Sequence, residues 1–431
     1  MIFLLIILLL SVVPAWAFDA AVVRVPLNTT TGLQNINFGD FGENCTATPC
    51  AAVFIVTTGI SDNILAADAM MSLGFTDGSS QRVVAVHDND VTIPTDGMRE
   101  TRTDRVLETL ETTGVTGAAS FYDWQSNGLR LDVTDAPPAA YLLTVLLMGG
   151  TGFQAKVGTI AASATLDGAV DITSPAFQPD AVIISTARLA TDSSSTYLFS
   201  AGVAVNDGAN TQGSIGCYSE HNASTTNIRA VSSTLYAGQV LDGGGLDMAL
   251  QIGGWDAAGF TATSKGVPIA SNWPFLAMKF GGADSAVFDI DTRITTGATS
   301  HALGFRPLAG MIFGTRAQAY DVEEADDDAS QCMLSLYAGT GQYSHANTMQ
   351  DGLTAAAKTT SRSNDDGIMM LSANGTCTAG TCLRGFIILD PTALTIDYYN
   401  VYSDAVRKWI GFAIQDAGVV AARRRGTGLL Q

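Results

Sequence analysis

Pro49-Cys-Ala-Ala-Val-Phe-Ile-Val56, Pro179-Asp-Ala-Val-Ile-Ile184 and Pro307-Leu-Ala-Gly-Met-Ile-Phe313 repeat one pattern, their prolines 130 and then 128 residues apart. In each, a proline opens a short apolar run of the length and composition of a core strand. Outward from these runs, Gly74-Phe-Thr-Asp-Gly78 follows the first, Ala204-Val-Asn-Asp-Gly208 the second and Tyr337-Ala-Gly-Thr-Gly341 the third. A further landmark reads Trp124-Gln-Ser-Asn-Gly-Leu129, then Trp255-Asp-Ala-Ala-Gly-Phe260, then Leu389-Asp-Pro-Thr-Ala-Leu394. Each copy closes on an apolar strand: Leu142 to Gly150, Phe275 to Gly282, Trp409 to Ile414. Four landmarks in one order at nearly constant spacing give a period the size of a domain. The expected fold is all-β, with three tandem antiparallel β-sandwich repeats, jelly-roll-like, at 18–150, 151–282 and 283–416.

Composition agrees with strands and tight turns. The chain of 431 residues is 47% hydrophobic and only 15% charged, with 44 glycines, whereas helical domains lean on Glu, Lys and Leu. A net charge of −19 argues against nucleic acid as a partner, since phosphate binding needs clustered Lys and Arg. The one basic run, Arg423-Arg-Arg425, falls in the tail 417–431, which reads as a solvated end.

Residues 1–17 read as a signal peptide. Ile2 to Val13 is apolar but short for a bilayer, and Ala15-Trp16-Ala17 has the small-x-small form that signal peptidase reads. Cleavage after Ala17 and export follow; retention as an anchor is the alternative, because no Lys or Arg precedes the apolar stretch. Cysteine usage points the same way. Cys45 with Cys50, and Cys377 with Cys382, are spaced for small loop disulfides of an oxidising compartment. Cys217 and Cys332 either bridge the second and third copies or stay as small buried hydrophobes.

Along the chain, Ala169-Val-Asp-Ile-Thr173 and Ala286-Val-Phe-Asp-Ile-Asp291 alternate as half-buried strands and are read as the opening strands of their copies. Thr-Asp-Gly at 76–78 and Asn-Asp-Gly at 206–208 predict hairpin turns. Val106, Leu107 and Leu110 share one side of a predicted helix over Arg99 to Thr113. Trp124 and Trp255 are read as core aromatics beside a tight bend. Polar segments at Ala190 to Ser195, Asp321 to Ser330 and Thr359 to Asp366 match poorly between copies and are the loops expected to carry recognition.

No catalytic constellation is recognisable. His87, His221, His301 and His345 fit no metal spacing and read as surface or capped residues. A Gly-x-Ser-x-Gly elbow is absent, and the glycines of Asp242-Gly-Gly-Gly245 lack the Lys-Ser/Thr of a phosphate cradle. The acidic segment Asp321, Glu323, Glu324, Asp326, Asp327 and Asp328 is a weak candidate for Ca²⁺, without the spacing of an EF-hand; its plain alternative is a solvated, self-repelling loop. No other cofactor is expected.

In these landmarks the chain resembles a loosely defined group of repeat proteins encoded by tailed bacteriophages. Ala176-Phe-Gln-Pro179 and Gly304-Phe-Arg-Pro307 look like that group's Gly-Phe-x-Pro opening, and Asp256-Ala-Ala-Gly-Phe260 like its Asp-x-x-Gly-Phe turn. Phe275-Leu-Ala-Met-Lys-Phe-Gly-Gly282 looks like its closing strand, and the likeness runs from about Val22 to Gln415. The resemblance implies a non-enzymatic component of the virion exterior, structural or receptor-contacting. Its partners would be other virion or surface proteins, cell-surface glycans among them, in a homo-oligomer or larger assembly. The alternative is a cell-encoded secreted or surface protein that binds glycans or matrix.

Overall fold

The computed structural model describes residues 18–59, 66–89, 97–111, 113–188, 193–220, 228–242, 245–266, 271–323, 329–339, 341–350, 359–372, 377, 382–401 and 405–416. The leader 1–17 and the tail 417–431 lie outside them. Among the described residues there are strands and no helix.

The strands come in three sets. The first is β1 (Phe18–Pro26), β2 (Gly32–Asn37), β3 (Cys50–Thr57), β4 (Ala66–Ala67), β5 (Ala69–Thr76), β6 (Gln81–Asp88), β7 (Gly97–Arg102), β8 (Leu107–Glu111), β9 (Gly114–Gln125), β10 (Gly128–Asp135) and β11 (Leu142–Gly150). Next come β12 (Gln154–Ala161), β13 (Ala169–Ile172), β14 (Ala181–Thr186), β15 (Ser193–Ser195), β16 (Tyr197–Val205), β17 (Gln212–Ser219), β18 (Ile228–Ser233), β19 (Gly238–Asp242), β20 (Gly245–Asp256), β21 (Gly259–Gly266) and β22 (Asn272–Lys279). The last are β23 (Ser285–Asp291), β24 (Gly297–Ala302), β25 (Pro307–Thr315), β26 (Ala329–Ala338), β27 (Gly341–Gln350), β28 (Thr359–Asn364), β29 (Ile368–Met370), β30 (Leu383–Leu389), β31 (Ala393–Asn400) and β32 (Lys408–Gln415).

Each set makes a large antiparallel sheet and a four-stranded one. The large sheets run β1-β11-β3-β5-β6-β7, β12-β22-β14-β16-β17-β18 and β23-β32-β25-β26-β27-β28; the small ones run β2-β10-β9-β8, β13-β21-β20-β19 and β24-β31-β30-β29. The proline-led runs are the middle strands β3, β14 and β25, and the closing strands β11, β22 and β32 pair beside them.

Burial explains why those runs are apolar without alternating. In β3, Ala52, Phe54 and Val56 face an interior cluster against the small sheet, while Val53 and Ile55 face a second cluster. β14 divides the same way, with Val182 and Ile184 inward and Ile183 on the second cluster, and so does β25, with Ile312 against Met311 and Phe313. That second cluster draws residues from all three large sheets. A strand buried on both faces loses the period-two signature and reads as a continuous hydrophobic run.

The large sheets also meet at their edges in a closed cycle, through two added strands and one isolated bridge. β4, from the first set, adds to the edge strand β28 of the third, and β15, from the second, adds to β7 of the first. Tyr320, following β25, makes a parallel bridge to Ser232 on β18, the edge of the second. β28 and β7 are thereby paired in part and β18 is bridged at one residue, which shortens the open ladders on which aggregation begins. Phe18, Phe153 and Phe280 stack between the first two sets with ring centroids 5.4 to 6.3 Å apart, at the rim of the shared cluster.

Turn chemistry follows the sequence. Thr-Asp-Gly joins β5 to β6 and Asn-Asp-Gly joins β16 to β17, with Gly78 at φ 84° and Gly208 at φ 82°. Asp77 closes its turn by accepting from the Ser79 and Ser80 amides at 2.8 and 2.6 Å, and its other oxygen accepts from the Val157 amide at 2.8 Å, tying the hairpin to β12. In the Trp landmark the repeated glycine answers to close approach. A Cβ on Gly128 would stand 2.1 Å from the Ile36 carbonyl oxygen, and one on Gly259 1.7 Å from that of Ile172.

Two expectations are corrected. The helix predicted over Arg99 to Thr113 is instead β7 and β8, because Val106, Leu107 and Leu110 are buried by pairing and packing against β9 and the first interior cluster. Helical spacing of three apolar residues does not outweigh that tertiary pairing. The alternating segments at 169–173 and 286–291 are also not equivalent: the first contains β13, in a small sheet, and the second is β23, at the edge of a large one.

Candidate functional surface

All three cysteine pairs are disulfides. Cys45–Cys50 and Cys377–Cys382 close short loops as their spacing predicts, and Cys217–Cys332 joins β17 to β26 across 115 residues, a pairing the sequence left open. Three disulfides are consistent with an extracellular or secreted protein.

Where the three polar segments expected to carry recognition are described, they are used inside the molecule; Ala190, Thr191 and Asp192 lie outside the described residues. Ser193–Ser195 is β15, Thr359–Asn364 is β28, and the start of the acidic loop is a clasp between the second and third sets. There the Asp321 amide donates to the Ser232 carbonyl at 2.8 Å, and the Asp321 carboxylate accepts from the Ser233 hydroxyl and from the Thr234 amide and hydroxyl, at 3.1 and 2.8 Å for the latter two. Glu323 pairs with Arg229 on β18. Both calcium candidates within the described residues are thus engaged by protein groups, while Glu324, Asp326, Asp327 and Asp328 lie outside those residues.

The landmark tryptophans line the rim of the interior clusters and are only partly buried. Trp124 stacks on Phe121 at 4.6 Å, and Trp255 donates its Nε1–H to Asn210 at 2.7 Å while its ring lies 6.1 Å from Phe260. The fully buried tryptophans are Trp273 and Trp409, in the closing strands. The histidines also depart from expectation: His87 and His345 are buried, His301 is half-buried against Phe288, and His221 lies outside the described residues.

His87 shares the inward face of its sheet with Glu100, and Glu108 on β8 meets them from the small sheet. Arg102 pairs with Glu100, and Arg105 donates to Glu108 at 2.8 Å. Burial first, then the Glu100 charge, pushes the Glu108 carboxyl well above the ordinary range. Glu108 is 0% and Glu100 3% exposed, so the pair is closed to solvent in this structure. The sign of its pH effect follows: a carboxyl raised by folding contributes stability below the unfolded value and loses it as pH rises toward the folded one. Compared with Glu108→Gln, which stays neutral, the wild-type protein is expected to lose thermal stability progressively from about pH 5 to pH 8. Melting curves across that range with a constant difference between the two would refute it.

Among the described residues, the outer faces of the small sheets carry exposed side chains, and these faces differ. On the first, Tyr122 is exposed under the Arg130 guanidinium at 5.0 Å, and Arg130 donates to Asp123 at 2.8 Å. The second is polar, with Thr261 donating to Asp171 at 2.8 Å and Lys265 to Asp167 at 2.6 Å. The third carries Phe386, Ile388 and Tyr399, each at least 40% exposed, with Phe386 and Tyr399 stacked at 5.1 Å. Beneath them Tyr399 donates to Asp366 at 2.5 Å, Arg384 pairs with the same carboxylate and donates to Asn364 at 3.2 Å, and the Arg384 guanidinium sits 5.3 Å from the Tyr399 ring. Burial and the Asp366 charge raise the Tyr399 phenol, which stays a donor. Sequence reading missed this patch because β30 reads as an apolar strand, and its outward alternation shows only once Ile387 is seen to be buried. Comparison with protein-family models, curated proteins and solved structures gives no match.

Proposed function

We propose that the chain is a non-enzymatic structural or receptor-contacting component of a phage virion surface, built from three tandem jelly-roll-like β-sandwich repeats at 18–150, 151–282 and 283–416. The observation that carries this reading is the closed cycle of edge contacts, two added strands and one bridge, among three large sheets of one strand order. It buries the shared faces and leaves dissimilar outer faces, an arrangement suited to display and assembly. Export through the leader and assembly with further copies or other surface proteins belong to the same proposal. Mass spectrometry of density-purified particles from the source culture is the test: stoichiometric peptides of this chain are expected. Their absence there, with recovery in the washed cell-surface fraction, would overturn it.

That outcome would favour the second reading, a cell-encoded adhesion protein. The stacked Phe386 and Tyr399 beside Ile388 support it, since exposed aromatic faces with adjacent polar groups suit sugar rings.

A further inference from the structure

The three seams between the large sheets are held by different chemistry. Between the second and third sets the bond is covalent, Cys217–Cys332, reinforced by the Ser232 and Thr315 hydroxyls at 2.9 Å. The first and second meet through β15 on β7, with Arg82 donating to the Thr159 hydroxyl at 2.8 Å. Between the third and the first, Ser361 donates to the Asp68 carbonyl at 2.8 Å and accepts from the Met70 amide at 3.0 Å, and the centre of the seam is an imidazole.

His345 of β27 is 0% exposed. Its Nδ1 lies 3.1 Å from the Thr57 hydroxyl on β3, and its Nε2 2.7 Å from the Thr144 hydroxyl on β11. A neutral ring satisfies both, its N–H donating to one hydroxyl while its bare nitrogen accepts from the other. A protonated ring has two donors and would carry a buried charge. From β1 the facing charged group is Arg24, of like sign, its guanidinium 4.6 Å from the Tyr343 ring and donating to Ser363 of β28 at 3.4 Å. β3 and β11 offer the imidazole only hydroxyls, and β28 offers Ser361 and Ser363. On β27 itself, Asn347 is occupied with Tyr197, at 3.2 Å, and Ser361; the Asp88 charge acts on Tyr197 and not on the ring. Among the described residues, no carboxylate compensates a charge on His345.

We propose that His345 is an acid-operated latch on the seam between the first and third sheet sets, opened by protonation while Cys217–Cys332 keeps the second and third sets joined. Burial, with Arg24 second, pushes the imidazole down to about 3 when the seam is closed. An opened seam returns it to an ordinary value of about 6.5, so closure is fully favoured above that pH and lost as pH falls toward the closed-state value. At about pH 5 the closing equilibrium is weakened about 30-fold, so the minor population in which the apolar cluster behind the seam is uncovered rises by the same factor.

Peptide-resolved hydrogen exchange on the full, disulfide-intact chain at about pH 7.5, 6, 5 and 4, corrected for intrinsic rates, tests this. Peptides covering β4, the start of β5 and β28, whose amides bond across this seam, are expected to lose protection before the peptide carrying Asp321, whose amide bonds to Ser232 across the covalent one, and His345→Gln, which keeps a donor and an acceptor without titrating, is expected to abolish that early loss. Opening of wild type and variant at the same pH would overturn the proposal, as would simultaneous loss at all three seams. If His345→Gln does not fold, the order of the seams in the wild-type protein decides the matter alone.

Discussion

Replacing Cys217 and Cys332 together by alanine is expected to lower the unfolding free energy by about 5 kcal/mol, more than twice the loss from removing Cys45 and Cys50. On the chain-entropy account the crosslink's contribution grows with the logarithm of the loop it closes. The loops differ widely, with separations of 115 and 5 residues, giving about 5 and about 2 kcal/mol respectively. Both sulfurs of the long bridge are buried where β17 meets β26, so alanine leaves no unsatisfied polar group there. Denaturant titration of both double variants under non-reducing conditions is the measurement. Equal losses would mean that the long bridge records a seam already closed by packing.

Trp409→Ala is expected to cost about 3–5 kcal/mol, the range for truncating a fully buried large aromatic. The ring is 1% exposed in the third interior cluster, and its Nε1–H donates to the Thr315 carbonyl at 2.8 Å. Substitution therefore leaves both a cavity and an unpaired carbonyl at the end of β25. Trp124→Ala, by contrast, removes a rim aromatic and is expected to cost roughly half as much or less. Thermal unfolding of the two variants side by side gives the comparison; a larger loss at Trp124 would refute it.

That contrast shows where sequence reading reached its limit. Trp124 and Trp255 stood out because they recur in register, yet recurrence here marks the bend at Gly128 and Gly259, where backbone carbonyls leave no room for a Cβ. Trp273 lies in an apolar strand without being singled out, and Trp409 stands only as the start of a closing strand, although both fill the interior. At Arg99 to Thr113, three apolar residues at helical spacing were compatible with two periods, and β9 and β6 decided between them by supplying pairing partners.

The candidate surface was the least legible part. Segments such as Asp321 to Ser330 looked like free recognition loops because they are polar, but polarity does not distinguish a loop that meets water from one that caps a neighbour's edge strand, as Asp321 and Glu323 do. Likewise His345 carried no motif, since its partners Thr57 and Thr144 lie 288 and 201 residues away.

The sequence by itself determined what depends on neighbours along the chain: the strand-forming runs, the Asp-Gly hairpins and the two five-residue disulfide loops. In each, the deciding energy is local, a φ value, a turn hydrogen bond or a short closure. Only the tertiary structure decided that the middle strands are buried on both faces, that three sheet edges meet neighbours in a cycle, and that Cys217 meets Cys332. Those outcomes rest on contacts between residues far apart in the chain, whose energy comes from excluding water between whole sheets and leaves no periodic trace in the chain.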